Sequence, residues 1–398
     1  MKAFCQPTGH PIAPFFDAMA DVPILNRPLS DHQQQALSEA GFETVGVPPD
    51  DAPYLLYSDR TWFTAAALRR LREAGMGRMQ ADDPDWWTAT GAVQQTPAPG
   101  LYELALLEPG APPSFQVPPV TVDLGLRDAD PPAVHATMAH ALRPLRVGDA
   151  MVHQIDHWSH ILRVNQLALA VRAEGARLRW ENASWWQKGW FVLTLLWRAR
   201  SIRKHDIFRA LNETPRSADI HPSAVVELSV IGEGVEIGPN AVVRASILGD
   251  GVKVEDHASV NLSVLGEGAR VGRYGMVNLC TLYRRAMVSS GGGFQASLFG
   301  EDSFLAWGAT MLDLSFGRPV KVEVDGQRVD SGQHFLGGAI GHRARIGNGV
   351  RLNYGIAVPN DALIVAPSTG LVRSASDAEP DEPFVWEEGG GVRPARKR

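Results

Sequence analysis

The sequence predicts an α/β layer domain followed by a coil of short strands wound about one axis, and three observations carry that reading. Between Ile220 and Val277 the chain repeats every 17 residues: Ser229-Val230-Ile231-Gly232-Glu233-Gly234, Ser246-Ile247-Leu248-Gly249-Asp250-Gly251 and Ser263-Val264-Leu265-Gly266-Glu267-Gly268 stand in register. Residues 1–165 alternate strand-like and helix-like segments, which argues for a largely parallel sheet with helices packed on it. Between the two lies a stretch rich in tryptophan, 166–217.

The coil follows from spacing. After Ile231, Leu248 and Leu265 the next aliphatic anchors are Ile237, Val254 and Val271, then Val243, Val260 and Val277, with Ile220 and Val226 extending the series backwards. Steps of six, six and five fit neither the 3.6 period of a helix nor the period 2 of a strand. They fit three short strands per turn whose anchors all point to one axis. Ala241, Ala258 and Gly275 are small enough for tight corners. The coil is expected over 218–373, with two breaks: 284–294, where Ser289-Ser290-Gly291-Gly292-Gly293 dilutes the pattern, and an excursion over 315–333. In the latter, Asp325-Gly326 between alternating residues signals a hairpin. Coils resume at Ile340-Gly341, Ile346-Gly347, Leu352, Val358 and Ile364, and 374–398 reads as a disordered tail.

In the first segment, Lys2–Cys5 reads as a strand and Leu29–Ala40 as a helix with Ser30 as N-cap, ending at Gly41. Pro53–Tyr57 is a second strand, 61–74 a helix closed by Gly75, and Leu101–Leu107 a third strand. Residues 95–120 are proline-rich and expected to wrap the surface. In the middle stretch, Trp180, Trp185, Trp186, Trp190 and Trp197 surround Phe191–Leu196, with Arg198, Arg200, Arg203 and Lys204 following. This helix either packs the α/β domain against the end of the coil or lies in a membrane interface. The first is preferred, because the apolar face of a linker helix usually has a core to bury into.

Composition narrows the function. With 38 basic and 44 acidic residues, net −6, nothing points to nucleic acid. Two cysteines, Cys5 and Cys280, suit a reducing cytoplasm rather than a disulfide framework. The first residues lack the apolar core of a secretory signal, and no apolar run is long enough to span a bilayer.

The repeat resembles the hexapeptide-repeat, left-handed β-helix family of acyltransferases and sugar nucleotidyltransferases, which implies a left-handed parallel β-helix and a homotrimer. Val22-Pro23-Ile24-Leu25-Asn26-Arg27-Pro28-Leu29 is similar to the family's second nucleotidyltransferase motif, and Tyr54-Leu55-Leu56-Tyr57-Ser58-Asp59 to the strand that ends in a metal-binding Asp. The layout resembles bifunctional N-acetylglucosamine-1-phosphate uridyltransferase/acetyltransferases. The phosphate-binding loop departs from that pattern. Gln6-Pro7-Thr8-Gly9-His10-Pro11-Ile12 keeps one glycine, Pro7 and Pro11 remove donor amides, and the family's loop Arg and Pro-Lys pair have no counterpart. Phosphoryl chemistry depends on such cations and donors, so nucleotidyl transfer is expected to be lost. The resemblance leaves Asp59, with Asp156 as second carboxylate, as candidate ligands of Mg2+; a helix-capping Asp59 is the plain alternative.

The family's acyltransferases use a His as general base and lay acyl-CoA along the solenoid wall. Here the place of that His holds Ala296 or Ser297, and Asn278-Leu279-Cys280 is not basic where the family is. His334, at the end of the excursion, and His342 are the candidate bases; both could equally be solvated turn residues, and so could His257. Carbonic anhydrases of this fold hold zinc with three histidines, two of them five residues apart, whereas His334 and His342 are eight apart. Arg284, Arg285 and Arg318 are candidates for the CoA pyrophosphate, or else solvated cations. The expectation is acyl transfer to a sugar or nucleotide-sugar acceptor, the alternative a non-catalytic ligand-binding or assembly scaffold.

Overall fold

The computed structural model describes residues 1–128 and 146–367, and two short strands, Phe384–Trp386 and Val392–Pro394, which pair antiparallel. Apart from those strands, the tail expected to be disordered lies outside the described residues.

The first domain is built on a six-stranded sheet. Its strands are β1 (Lys2–Gln6), β2 (Glu43–Val45), β3 (Tyr54–Ser58), β4 (Gly77–Ala81), β5 (Leu101–Leu107) and β6 (Pro119–Val122), in the order β2-β1-β3-β5-β4-β6. Strand β1 is parallel to β2 and β3, and β4 is parallel to β6, but β5 is antiparallel to both its neighbours. The sheet is therefore mixed rather than largely parallel. Central strands buried on both faces read as continuous apolar runs whichever way they point, so composition carried no directional signal.

Helices α1 (Leu29–Glu39), α2 (Ala65–Ala74) and α3 (Pro84–Thr90) flank the sheet. Two boundaries differ from expectation. Pro28 holds the N-cap position of α1, and the Ser30 hydroxyl instead donates to the Ala20 carbonyl. Thr61–Phe63, β-branched and aromatic, forms a strand paired with Val152–Gln154, and α2 starts only after Thr64, whose hydroxyl accepts the Ala67 amide.

The long helix α4 (Trp158–Asn182) begins inside the region assigned to the first domain and runs on through 166. Its first half buries Trp158, Ile161, Leu162, Val164 and Leu167 in the α/β core. Two further helices, α5 (Trp185–Ala199) and α6 (Lys204–Ala210), lead to the coil.

From Asp219 the chain is a left-handed parallel β-helix with three parallel sheets of eight, seven and seven strands. Registers step by one repeat: Ile237 pairs with Val254, Val243 with Val260, Leu248 with Leu265. The corner between the second and third sheets is turned by Leu228, Ala245, Leu262, Leu279 and Ala296, all at φ between +45° and +56°. A side chain there costs about 1–2 kcal/mol per residue, and the next residue offsets it. Ser229, Ser246, Ser263 and Ser297 each donate back to the carbonyl two residues earlier; the first three, with Ser297 in turn, accept an amide from the coil above. Cys280 takes the same place in the ladder.

The interruption expected at 284–294 does not occur. Met287–Val288 pairs with Arg270–Val271 and Gly293–Gln295 with Met276–Asn278. Gly291, at φ +68°, and Gly292 fill the corner while the anchors Leu282, Val288 and Phe294 keep the six-residue step. The excursion is real: Lys321–Val324 pairs with Gln327–Asp330 across Asp325-Gly326, both at positive φ. It is no free loop, since Val320 and Val322 are fully buried in the core of the first domain.

Stacking sets a strict size limit. A Cβ on Gly249 would lie 2.8 Å from the Glu267 amide nitrogen and 3.0 Å from the Gly266 carbonyl carbon. Gly251, at φ +65°, faces open space. Gly249→Ala should therefore cost about 1–3 kcal/mol as overpacking, and Gly251→Asn clearly less. Thermal melts of both variants check this; equal melting temperatures would contradict it.

Candidate functional site

The residues singled out from sequence do not form one site. Asp59, just beyond β3, accepts the Thr8 amide at 3.1 Å and the Thr8 hydroxyl at 2.7 Å, tying down the loop after β1. Asp156 is buried and accepts Arg60 at 2.7 Å and the Gln95 amide at 2.8 Å, while Arg60 also grips Glu103. Burial raises the Asp156 pKa even against Arg60. The two carboxylates thus serve separate networks, and among the described residues no group of three or more His, Cys, Asp and Glu side chains could hold a metal ion. The arrangement lends the expected Mg2+ site no support.

His342 is spoken for. Its Nδ1 accepts the Glu301 amide at 2.9 Å, which places the proton on Nε2, and Nε2 donates to Asp17 at 3.1 Å. The ring packs between Phe15 and Tyr283. With both nitrogens engaged, His342 joins the two domains. Arg284 and Arg285 pair with Glu301 and Asp302 one coil on, at the corner between the third and first sheets. Arg318 is exposed on the loop before the hairpin. None of these three lines the groove described next.

His334 does. The second half of α4 passes along the left-handed corner row, and between them runs a groove of about 1170 Å³. Arg172 pairs with Glu213 near the first coil, and Gln166 donates to the Leu279 carbonyl three coils further on. The helix therefore runs against the direction in which the coils stack. Its wall is made by Leu169 and by Ala170, Ala173 and Ala176, whose small side chains leave the space open, and the facing wall by Leu228, Ala245, Leu262, Leu279 and Ala296. Those corner residues reach outwards because φ is positive; a right-handed turn would aim them elsewhere. The groove is mostly apolar.

Its polar groups gather at the α4 N-terminal end. His334 Nδ1 lies 3.2 Å from the Ser315 carbonyl, a pure acceptor, so the proton sits on Nδ1. Gly332 abuts Ala92, whose carbonyl receives His160 Nε2. Arg163 opens into the same end beside His160. Burial alone lowers the Arg163 pKa to about 10, with no carboxylate offsetting it among the described residues. A desolvated cation with no carboxylate partner among the described residues is suited to an anion. Sequence reading missed Arg163, which looks like any polar residue of a long helix; the signal lies in its surroundings, drawn from segments far apart in the chain.

Beneath the groove lies a histidine cluster. His153 and His160 rings are 5.1 Å apart and His157 and His160 6.1 Å. Burial, then the neighbouring His160 charge, lowers His157 to about 3; burial lowers His160 to about 4 and His153 well below the usual value. His157 Nδ1 meets the Ser159 hydroxyl at 2.8 Å at the start of α4, and its Nε2 faces the Glu323 carbonyl of the hairpin at 3.3 Å.

The protein is thus an α/β domain fused to a hexapeptide-type left-handed β-helix. Residues 214–302 match the family model described as the GMPPB C-terminal domain. Among solved structures, it is similar to a Bacillus cereus protein assigned as an acetyltransferase (17% identity, 36% of this chain and 69% of that one, TM-score 0.22). It is also similar to a mutant GDP-perosamine N-acetyltransferase of Caulobacter crescentus in complex with CoA and GDP-perosamine (20%, 39% and 53%, TM-score 0.21). A third is UDP-N-acetylglucosamine O-acyltransferase of Moraxella catarrhalis (16%, 39% and 61%, TM-score 0.20). For the last two, the chain spans less than two thirds of the structure it matches. No curated protein matches the chain. Scores this low leave the fold to be judged from the coil registers themselves.

The histidine cluster fixes a pH dependence. Folded pKa values below the unfolded value of 6.5 mean that the unfolded chain binds more protons once pH drops below 6.5. Stability is then lost as pH falls from 6.5 towards 4 and 3, at about 1.4 kcal/mol per pH unit per histidine. Thermal melts should show an acid limb starting near that pH, made shallower by His157→Gln. An unchanged slope in that variant would count against neutral burial of His157.

Proposed function

We propose that the protein transfers an acyl group from a thioester donor such as acyl-CoA to a hydroxyl or amine on a sugar or nucleotide-sugar, with His334 as general base. The observation that supports this most is the apolar groove along the corner row, which ends at the His334 imidazole and a desolvated Arg163 guanidinium. The acyl chain lies between the alanines of α4 and the corner leucines. His334 Nε2 takes the acceptor's proton as its oxygen or nitrogen attacks the thioester carbon. Arg163 faces the charge that develops on the carbonyl oxygen, and the carbon–sulfur bond breaks with the proton passing to the departing thiolate. A homotrimer formed through the solenoid belongs to the same reading.

Nucleotidyl transfer is absent in this reading. The carboxylate that would bind metal is engaged by Thr8, and Asp156 is held by Arg60. The scaffold alternative has support of its own: Arg284 and Arg285, the cations suited to a pyrophosphate, are closed into pairs with Glu301 and Asp302.

Calorimetry with a series of acyl-CoAs separates the two. Each buried methylene adds about 0.8 kcal/mol, so affinity should rise about fourfold per carbon until the groove is full. His334→Ala should abolish turnover while leaving that binding intact. Affinity that ignores chain length, or no binding, favours the scaffold.

A further inference from the structure

Helix α5 (Trp185–Ala199) has no buried residue. Trp185 is 85% exposed, Trp190 69% and Trp197 77%, and Trp186 and Leu193 are exposed as well. Trp186, Trp190, Leu193 and Trp197 follow at steps of four, three and four, one face of a helix. Leu195, Leu196 and Ala199 are half-buried on the opposite side, and α5 packs against α6. The expectation that this helix buries its apolar face between the domains is therefore corrected: it turns that face outwards. Few soluble surfaces leave so contiguous an apolar stripe uncovered.

Charge identifies what covers it. Residues 183–205 contain Lys188, Arg198, Arg200, Arg203 and Lys204 and no Asp or Glu, in a chain whose net charge is −6. Arg198, Arg200 and Arg203 form no ion pair among the described residues, and Lys204 lies over the Phe208 ring. A second copy of an acidic chain would complement a cationic rim with carboxylates, but an interface gathers its tryptophans at one central core rather than along the whole length of a 15-residue helix. A lipid surface uses both: indole rings sit at headgroup level and the cations meet anionic headgroups. At 15 residues α5 is about 22 Å long, too short to cross a bilayer, and no helix of the described residues is long and apolar enough to do so.

We propose that α5 is an interfacial anchor that lays its tryptophan face into an anionic membrane surface. The inference rests on α5 alone and does not depend on acyl transfer in the groove. The groove's distal end, at Arg179, opens where α4 hands over to α5, so docking would bring that end towards the lipid.

Flotation of the full chain with vesicles tests it. The chain should float with phosphatidylcholine vesicles carrying about one third phosphatidylserine, not with phosphatidylcholine alone, and high salt should release it. Replacing Arg198, Arg200, Arg203 and Lys204 together by Gln should weaken partition by about a hundredfold or more. Trp190→Glu with Trp197→Glu should abolish it with the melting temperature unchanged. Should those variants misfold, blue-shifted tryptophan emission of the unaltered chain on anionic vesicles, reversed by salt, is the independent readout. No flotation, or flotation indifferent to lipid charge, overturns the proposal. So does a change of oligomeric state in the tryptophan variants without lipid, which would show that copies of the chain cover this face.

Discussion

The left-handed corner between the second and third sheets is the constraint on which the rest depends. Each coil must turn there through a backbone conformation that side-chain-bearing residues avoid, and the chain accepts leucine or alanine at that point on five successive coils. The serine ladder beside it satisfies the amides and carbonyls that the turn would otherwise strand. The conformation also decides what the outside of the solenoid looks like. Side chains that would have joined the core stand outwards as a row, and that row forms one wall of the groove.

The other wall is supplied by α4, whose first half is buried in the α/β core, so the docking of the two domains shapes the groove. Three contacts set the approach: Asn26 donates to the Leu265 carbonyl, His342 binds Asp17, and Asn360 donates to the Phe15 carbonyl. The hairpin completes the joint by burying Val320 and Val322 in the first domain's core, which brings His334 to the head of the groove. The hairpin excursion thus acts as a clamp between the two domains. Uncharged histidines and the Arg60–Glu103–Asp156 network hold α4 from beneath.

The solenoid was legible because its anchors step by six, six and five, a spacing that neither a helix nor a single strand produces. Misreading 284–294 shows the limit: Gly291-Gly292-Gly293 drew attention as a break, although Leu282, Val288 and Phe294 carried the rule through it. The direction of β5 was hidden because a doubly covered strand shows no polarity in composition. His334 stood out from its place beside a hairpin, and the structure puts it in the lining of the groove. Arg163 could not, since its meaning comes from burial against residues from other segments. The tryptophan helix was visible at once, but whether its face met protein or solvent depended on where α4 ends, which no local pattern encodes.

The claim that the groove is where this protein binds its ligand can be tested by filling it. Ala173 lines the groove from α4 and is exposed, so a larger side chain there enters empty space without crowding the core. For Ala173→Trp, calorimetric titration with a long-chain acyl-CoA should give no measurable binding while the melting temperature stays that of the unaltered protein. Unchanged affinity in that folded variant would show that the ligand sits elsewhere and would contradict the account.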